Sequence, residues 1–262
     1  MAMNIIELST ENHIAIITMN DHAHRNRFSA SFSSHMLKLF NECERSDCRA
    51  VIIRANDGEK VWSAGHDIGE FPTDQKTDPF PWEEPYNQLT RAIRYARFPV
   101  ICAVQGSVWG AGCDLAACSD FVIATPDATF AVTPAKLGLP HSLVGITNFI
   151  RAFPDHMLKE IFMLAKPIAA ETAHRFGFVN RLVEPDNLHD QAIALAQDLA
   201  ANSPRCIAAL KAEMRMLQDA VHFTSHQAEE IQSLRRRVYQ SSEITEGLAA
   251  FHEKRPPEFT GE

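Results

Sequence analysis

The strongest chemical signal in the chain is a glycine-rich stretch, Gln105-Gly106-Ser107-Val108-Trp109-Gly110-Ala111-Gly112-Cys113-Asp114. It follows an apolar, strand-like run at 99–104 and leads into a segment at 113–118 that is compatible with a helix. A strand, a turn of small residues and a helix start direct backbone N–H groups at one point, where a developing anion is favoured. This pattern indicates half of an oxyanion hole. The alternative is a tight turn whose glycines serve only packing, and the spacing fits neither the dinucleotide-binding nor the P-loop motif.

The composition argues against several classes of function. The 262 residues carry a formal net charge of −8, which is unfavourable for a surface that binds nucleic acid. No apolar run is long enough to cross a membrane, and residues 1–4 do not resemble the start of a secretory signal. The six cysteines form no C-x-x-C pair, and several lie in apolar runs, as buried free thiols do. We therefore expect a cytoplasmic protein that binds neither nucleic acid nor membrane and has no metal site.

The apolar pattern predicts an α/β core up to about residue 200 and a helical region after it. The order β-β-α recurs in the core, which suggests stacked structural units. A hairpin is predicted from 5–8 and 14–19, strands at 50–53, 121–124, 129–132 and 181–183, and helices at 29–44, 83–95, 188–202, 204–220, 225–239 and 243–254. The proline-rich stretch at 71–85 predicts a mobile loop that covers a site, and 137–145 predicts a second loop. Arg235-Arg236-Arg237 is predicted to be a solvated helix face.

A second turn of small residues, Ser63-Ala64-Gly65-His66-Asp67-Ile68, precedes the glycine-rich stretch and also follows a strand-like run. The order and separation of these two turns resemble the crotonase (enoyl-CoA hydratase/isomerase) superfamily. Asn26, Gly138-Leu139-Pro140 and Phe251-His252-Glu253-Lys254-Arg255 lie where that family has further motifs. The resemblance extends over nearly the whole chain.

This resemblance implies a fold, an assembly and a partner. The expected fold is the crotonase-type α/β spiral of β-β-α units, an acyl-CoA-binding core over 1–200, followed by a C-terminal helical trimerisation region over 201–262. The expected assembly is a homotrimer or a hexamer made of two trimers. The expected partner is an acyl-CoA thioester, and no cofactor is implied because CoA is part of the substrate.

The resemblance also implies roles for individual residues. The thioester oxygen would accept hydrogen bonds from the backbone N–H groups of His66 and Ala111, and such preorganised donors contribute ~3 kcal/mol each. Phe251 and Lys254 match the family's contacts to the adenine and its 3′-phosphate, which often come from a neighbouring subunit. Further contacts to the substrate and CoA are expected from the side chain of His66 and from Arg25 (or His24), Ala64, Asp67, Ile68 and Gly110.

Departures from the family's hydratases indicate the reaction. Hydratases hold a water between two glutamates, whereas this chain has Asp114 at the first position and Pro134 at the second. Decarboxylation of a malonyl-type thioester needs the oxyanion hole and an apolar pocket for the departing carboxylate, which Thr133 and Pro134 would line. His141 lies where the malonyl-type decarboxylase of the family carries a tyrosine, and it would orient the carboxylate or protonate the enolate.

The sequence therefore predicts a lyase that decarboxylates a malonyl-type acyl-CoA, such as methylmalonyl-CoA to propionyl-CoA. Its predicted catalytic residues are His66, Ala111, Thr133, Asp114 and His141. Two alternatives stay open: an enoyl-CoA isomerase or weak hydratase that uses Asp114 as its one base, and a catalytically silent protein that binds acyl-CoA. A purely structural Asp114 is as consistent with the sequence as a catalytic one.

Overall fold

The structure of the chain, a computed structural model, describes residues 5–71, 81–220 and 224–260. Its strands are β1 (Ile6–Glu11), β2 (Ile14–Met19), β3 (Ala50–Ala55), β4 (Val61–Ser63), β5 (Val100–Val104), β6 (Ser107–Trp109), β7 (Phe121–Ala124), β8 (Thr129–Ala131), β9 (Ile168–Ala169) and β10 (Arg181–Leu182). Its α-helices are α1 (Ala30–Arg45), α2 (Pro85–Tyr95), α3 (Ala111–Cys118), α4 (Leu143–Ala152), α5 (Asp155–Lys159), α6 (Ala170–Arg175), α7 (Leu188–Ala200), α8 (Pro204–Gln218), α9 (Ser225–Tyr239) and α10 (Glu243–Glu253). Short 3₁₀ segments lie at His22–His24, Ile68–Glu70, Pro134–Leu137 and Pro185–Asn187, and a π-helical turn over Glu160–Leu164 continues α5.

The strands form two sheets, and each β-β-α unit contributes to both. The larger sheet has the order β1-β2-β3-β5-β7-β10, and the smaller sheet has the order β4-β6-β8-β9. In the pairs β3/β4, β5/β6 and β7/β8, the first strand joins the larger sheet, the second joins the smaller sheet, and a helix follows. Equivalent strands of successive units pair in parallel. This topology confirms the predicted spiral of β-β-α units.

Burial on both faces explains why the strands of the larger sheet are continuous apolar runs. All of β5 is buried, and so are the first four residues of β3. One face of the sheet packs on the main core under α1 and α2, and the other face packs on α7. The indole N–H of Trp62 in β4 donates to the carbonyl of Ala103 in β5 at 2.8 Å, so the two sheets are also joined by a buried hydrogen bond.

Most predicted elements are confirmed near their predicted places. The hairpin pairs β1 with β2, and Ser29 caps α1 by accepting a hydrogen bond from the Phe32 N–H at 3.1 Å. The predicted end of the loop at 137–145 is wrong, because Ser142 caps α4 and that helix already begins at Leu143. Of the loop predicted at 71–85, residues 72–80 lie outside the described residues, and Pro85 begins α2.

Two strands are not predicted by the apolar pattern. β6 lies inside the glycine-rich stretch and has three residues, and β9 has two, so neither is long enough to show an alternation. β6 pairs with β4 and β8. The glycine-rich stretch is therefore a short strand followed by a turn rather than a turn alone.

The C-terminal helices α9 and α10 pack against the 134–142 segment of the same chain. Leu139, Tyr239 and Ile244 form a small apolar cluster at this contact. The prediction of a solvated helix face is wrong for Arg235, whose side chain is only 7% exposed. Arg235 points inward because it shares a helix face with Tyr239, four residues later.

Candidate active site

The two small-residue turns lie directly against each other. They follow β4 and β6, which pair in parallel, so the carboxyl ends of these strands meet at one edge of the smaller sheet. Gly65 has a φ of +85°, and a Cβ there would lie 2.8 Å from the Trp109 carbonyl oxygen and 3.4 Å from the Ala111 nitrogen. Both its conformation and this contact require glycine at 65.

The chain turns from β6 into α3 at Gly110, which has a φ of +46°. Ala111 is the first residue of α3. Backbone N–H groups in the first turn of a helix have no partner within the helix and carry the partial positive charge of its start. The backbone at Ala111 and the neighbouring turn at His66 therefore border one electropositive point.

A cavity of about 690 Å³ opens between these turns, the 133–141 segment and α10. The predicted site residues that line it are Arg25, Ala64, His66, Asp67, Ile68, Gly110, Ala111, Thr133, His141 and Phe251. Asp114 and Lys254 are not among the described residues that line it. Within the described lining, Asp67 is the only acidic residue, while His24, Arg27 and Lys136 add to Arg25 as basic groups.

The carboxylate of Asp67 is held by its neighbours. It forms an ion pair with Arg27, whose Nε lies 3.0 Å away, and accepts a hydrogen bond from the Gly69 N–H at 3.1 Å. Its negative charge is thus paired at the wall of the cavity rather than directed into it.

The segment that carries Arg25 is fixed to β4 by a buried side chain. Asn26, 1% exposed, donates to the Trp62 carbonyl at 3.0 Å, and its own carbonyl accepts from Ser63 Oγ at 2.8 Å. Arg25 itself is exposed and has a φ of +55°, which places it at the rim of the cavity. Asn26 therefore fixes the conformation of the segment that borders the site, and Arg25 contributes a positive charge at its rim.

His66 packs edge-on against Tyr86 of α2, with ring centroids 4.7 Å apart. The Tyr86 hydroxyl is buried and donates to the carbonyl oxygen of Ala111. Burial lowers the pKa of His66 to about 4, so its imidazole is neutral at neutral pH. Tyr86 thus contacts both turns of the site, at His66 and at Ala111. The sequence does not predict this role, because a tyrosine after a helix-starting proline carries no distinctive signal.

His141 lies at the back of the cavity with 8% of its surface exposed. Its ring packs edge-on against Phe149 and Phe162, with centroid distances of 5.7 and 5.2 Å. Burial, helped by the nearby His66 and Arg235, lowers the pKa of His141 to about 3. Nε2 is buried and has no hydrogen-bond partner among the described residues. The ring of this neutral imidazole thus forms part of the cavity wall, while Nε2 lies beside Gly145 rather than at the cavity surface.

Asp114 lies behind His141 and is 1% exposed. Its Oδ1 accepts a hydrogen bond from Asn148 Nδ2 at 2.8 Å. Gly145 of α4 packs beside both groups, since a Cβ there would lie 2.5 Å from His141 Nε2 and 2.9 Å from Asp114 Oδ2. Burial raises the pKa of Asp114 to about 7, against the opposing effects of Asn148 and Arg94. This carboxyl group therefore titrates near neutral pH, and it is not part of the described cavity wall.

The two predicted CoA contacts near the C-terminus have different positions. Phe251 is 58% exposed and lines the cavity of its own chain. Lys254 is exposed and ends α10 in a left-handed conformation with a φ of +55°. Lys136 lines the cavity without having been predicted, although a lysine directly before Leu137-Gly138 is a signal that could have indicated it.

Across residues 5–71, 81–220 and 224–260, no helix is long and apolar enough to span a membrane. Over the same ranges, no three His, Cys, Asp or Glu side chains are grouped so that they could hold a metal ion.

Comparison with known proteins identifies the family. The family model for enoyl-CoA hydratase/isomerase matches residues 9–262. The chain belongs to this family. Among its relatives is methylmalonyl-CoA decarboxylase of Escherichia coli (strain K12), which is 38% identical over 261 residues and covers 100% of both chains. Carnitinyl-CoA dehydratase of Salmonella arizonae (strain ATCC BAA-731 / CDC346-86 / RSK2980) is 32% identical over 258 residues, 98% of each chain.

Solved structures of the enoyl-CoA hydratase/isomerase family support the same assignment. Methylmalonyl-CoA decarboxylase in complex with 2-nitronate-propionyl-CoA superposes with a TM-score of 0.96 at 38% identity, over 100% of both chains. The resemblance inferred from the two turns and the predicted crotonase-type fold are thereby confirmed.

Asp114→Asn should change how stability depends on pH. The folded protein keeps the Asp114 proton up to about pH 7, whereas the unfolded chain releases it near 3.8. The stabilisation from this raised pKa is complete at low pH and is lost as the pH rises from about 4 to about 7. The free energy of unfolding of the wild type relative to the variant should therefore fall by on the order of 4 kcal/mol over that window and stay constant above it. Urea unfolding at several pH values measures this, and parallel pH curves for the two proteins would contradict it.

Proposed function

We propose that the chain is a carbon–carbon lyase that decarboxylates a malonyl-type acyl-CoA, converting methylmalonyl-CoA to propionyl-CoA. The bond between C2 and the carboxylate breaks, its electron pair enters the thioester as an enolate, carbon dioxide leaves, and C2 takes up one proton from solvent. The observation that carries the proposal is a cavity that His141 lines and whose one described acidic residue is already paired. The 38% identity to a methylmalonyl-CoA decarboxylase, over the whole length of both chains, supports the proposal.

The enolate oxygen would be stabilised by the backbone N–H groups of His66 and Ala111. The turns that carry them touch at Gly65 and Trp109, so the two N–H groups belong to neighbouring stretches of the cavity wall. Preorganised donors of this kind contribute ~3 kcal/mol each to the transition state. Because the groups belong to the backbone, this contribution does not depend on the imidazole of His66.

The departing carboxylate would lie against Thr133, Pro134 and His141. A neutral imidazole can donate one hydrogen bond, and His141 would donate it to a carboxylate oxygen. With its pKa lowered to about 3, His141 is a weak source of protons at neutral pH. Of the two roles predicted from the sequence, orientation of the carboxylate is therefore favoured over protonation of the enolate.

The mouth of the cavity suits the charged part of CoA. Arg25, Arg27 and Lys136 supply positive charge for its phosphates, and Phe251 supplies an exposed aromatic ring on which adenine could stack. Phe251 belongs to the same chain as the rest of this cavity. Lys254 stays a predicted contact to the 3′-phosphate.

A hydratase or isomerase is the second candidate, favoured by the similarity to carnitinyl-CoA dehydratase. Two observations make it weaker. Pro134 occupies the place of one proton-transferring carboxylate, and Asp114, at the place of the other, is buried behind His141. A water molecule in the cavity would thus lack the two bases that hydration needs.

A comparison of thioesters tests the reaction class. The purified chain should release carbon dioxide from methylmalonyl-CoA with turnover and should hydrate crotonyl-CoA at least about 100-fold more slowly, because the carboxylate pair is missing. Product formation is measured by mass spectrometry, with enzyme-free samples as controls. Hydration or double-bond migration faster than decarboxylation would support the second candidate, and CoA binding with no turnover of any thioester would leave a silent binding protein.

His141→Phe should separate carboxylate orientation from the oxyanion hole. The substitution keeps a planar ring between Phe149 and Phe162 and removes both nitrogens. Loss of a hydrogen bond to a charged group costs ~1.5–3 kcal/mol, so decarboxylation should slow by roughly 10- to 150-fold. Affinity for a thioester that lacks the second carboxylate should change little, and His141→Tyr should retain or raise the rate. Unchanged turnover of methylmalonyl-CoA by His141→Phe would exclude this role.

We further propose that the protein assembles as a trimer, or as a hexamer of two trimers, and acts in the cytoplasm. Large apolar side chains are exposed on α8 (Leu210, Met214, Met216, Leu217) and on the turn after α5 (Met163, Leu164), which is typical of surfaces that a partner covers. Five of the six cysteines are buried free thiols, as expected in a reducing compartment.

Sedimentation equilibrium at micromolar concentration should give three or six chain masses. Leu217→Glu, at a site that is 76% exposed in the isolated chain, should shift the protein toward smaller species. Gln232→Glu on the exposed face of α9 changes the net charge by the same amount, so it is the matched control and should not shift the assembly. A monomer in the wild type would contradict the proposed assembly.

A further inference from the structure

Arg235 is the buried member of the Arg235-Arg236-Arg237 run. Its side chain is 7% exposed, whereas Arg236 and Arg237 are exposed on α9. Burial of a guanidinium is unfavourable unless its N–H groups find acceptors. The acceptors of Arg235 therefore indicate its structural role.

Two hydrogen bonds connect the guanidinium to different parts of the chain. Nη1 donates to the backbone carbonyl oxygen of His141 at 2.6 Å, and Nη2 donates to the Tyr239 hydroxyl at 2.6 Å. Tyr239 is 4% exposed and belongs to the apolar cluster with Leu139 and Ile244. Arg235 thus joins the C-terminal helices to the main chain of the residue whose ring faces the cavity.

The segment around His141 is anchored on both sides of this residue. The Leu139 N–H donates to the Pro134 carbonyl at 3.1 Å, and Ser142 Oγ accepts from the Gly145 N–H at 2.9 Å. Between these anchors, Pro140 has no N–H to donate. The hydrogen bond from Arg235 acts on the carbonyl of His141 itself.

We infer that Arg235 is a positioning residue, which holds the main chain of His141 so that its imidazole ring stays in place against the departing carboxylate. Phe149 and Phe162 confine the ring, so a shift of the main chain at His141 would displace Nε2 relative to the oxyanion hole. A displacement of about 1 Å at a reacting group costs on the order of 100-fold in rate. The inference rests on the role proposed above for His141.

Arg235→Met tests the inference, because it removes the donors and keeps much of the apolar stem. We expect kcat for methylmalonyl-CoA to fall roughly 10- to 100-fold while KM changes less than about threefold, since the CoA contacts at the rim are not altered. Arg236→Met is the matched control and should keep wild-type values. Arg235→Lys keeps one charged donor and should lie between the two.

The folded state of each variant is checked by circular dichroism and by its unfolding temperature. If Arg235→Met does not fold, Arg235→Lys takes its place in every assay. An ammonium group cannot reproduce the planar fork that reaches two acceptors, so kcat of this variant should still fall severalfold.

A double-mutant cycle separates positioning from a general loss of structure. If Arg235 acts through His141, Arg235→Met should lower kcat by less than about twofold in a His141→Phe background. An equal loss in both backgrounds, or an unchanged kcat for Arg235→Met alone, would overturn the inference and leave the role of His141 intact. A wild-type kcat for His141→Phe would overturn both.

Discussion

The close backbone contact between the turn at Gly65 and the turn at Trp109–Ala111 is the constraint on which the site depends. It follows from the parallel pairing of β4 with β6, which places the ends of both strands at one edge of the smaller sheet. Any side chain at 65 would separate the turns, because a Cβ there would meet the Trp109 carbonyl oxygen at 2.8 Å. Because successive β-β-α units stack, the ends of equivalent strands lie next to each other, and the turns that follow them border one site.

Burial sets the charge state of the groups around this contact. His66 and His141 have pKa values lowered to about 4 and about 3, and the pKa of Asp114 is raised to about 7. All three shifts have desolvation as their largest cause, so they favour neutral forms. The neutral imidazoles of His66 and His141 thus bring no charge of their own to the cavity, which agrees with the proposed stabilisation of an enolate by oriented dipoles rather than by a proton donor.

The C-terminal helices belong to the site as well as to a surface that a partner could cover. α10 brings Phe251 to the mouth of the cavity, and α9 brings Arg235 to the carbonyl of His141. The apolar side chains on α8 are exposed in the isolated chain. The proposed assembly surface and the cavity therefore both draw on the C-terminal helices.

The sequence by itself determined the family, the two small-residue turns and most elements of the spiral. These features are local: glycine at 65 and 110 is required by the backbone conformation, and the strands are apolar because both faces are buried. The sequence also gives the chemical groups of the site, which include the imidazole of His141 and, at Pro134, no carboxylate.

Only the tertiary structure decided which of these groups share the cavity. Asp114 and His141 are both titratable candidates in the sequence, and packing around Gly145 places His141 in the cavity wall and Asp114 behind it. Tyr86 and Arg235 carry no local signal for a role in the site. Their partners, Ala111 and His141, lie 25 and 94 residues away, and contacts at such separations arise from long-range packing that no local pattern encodes.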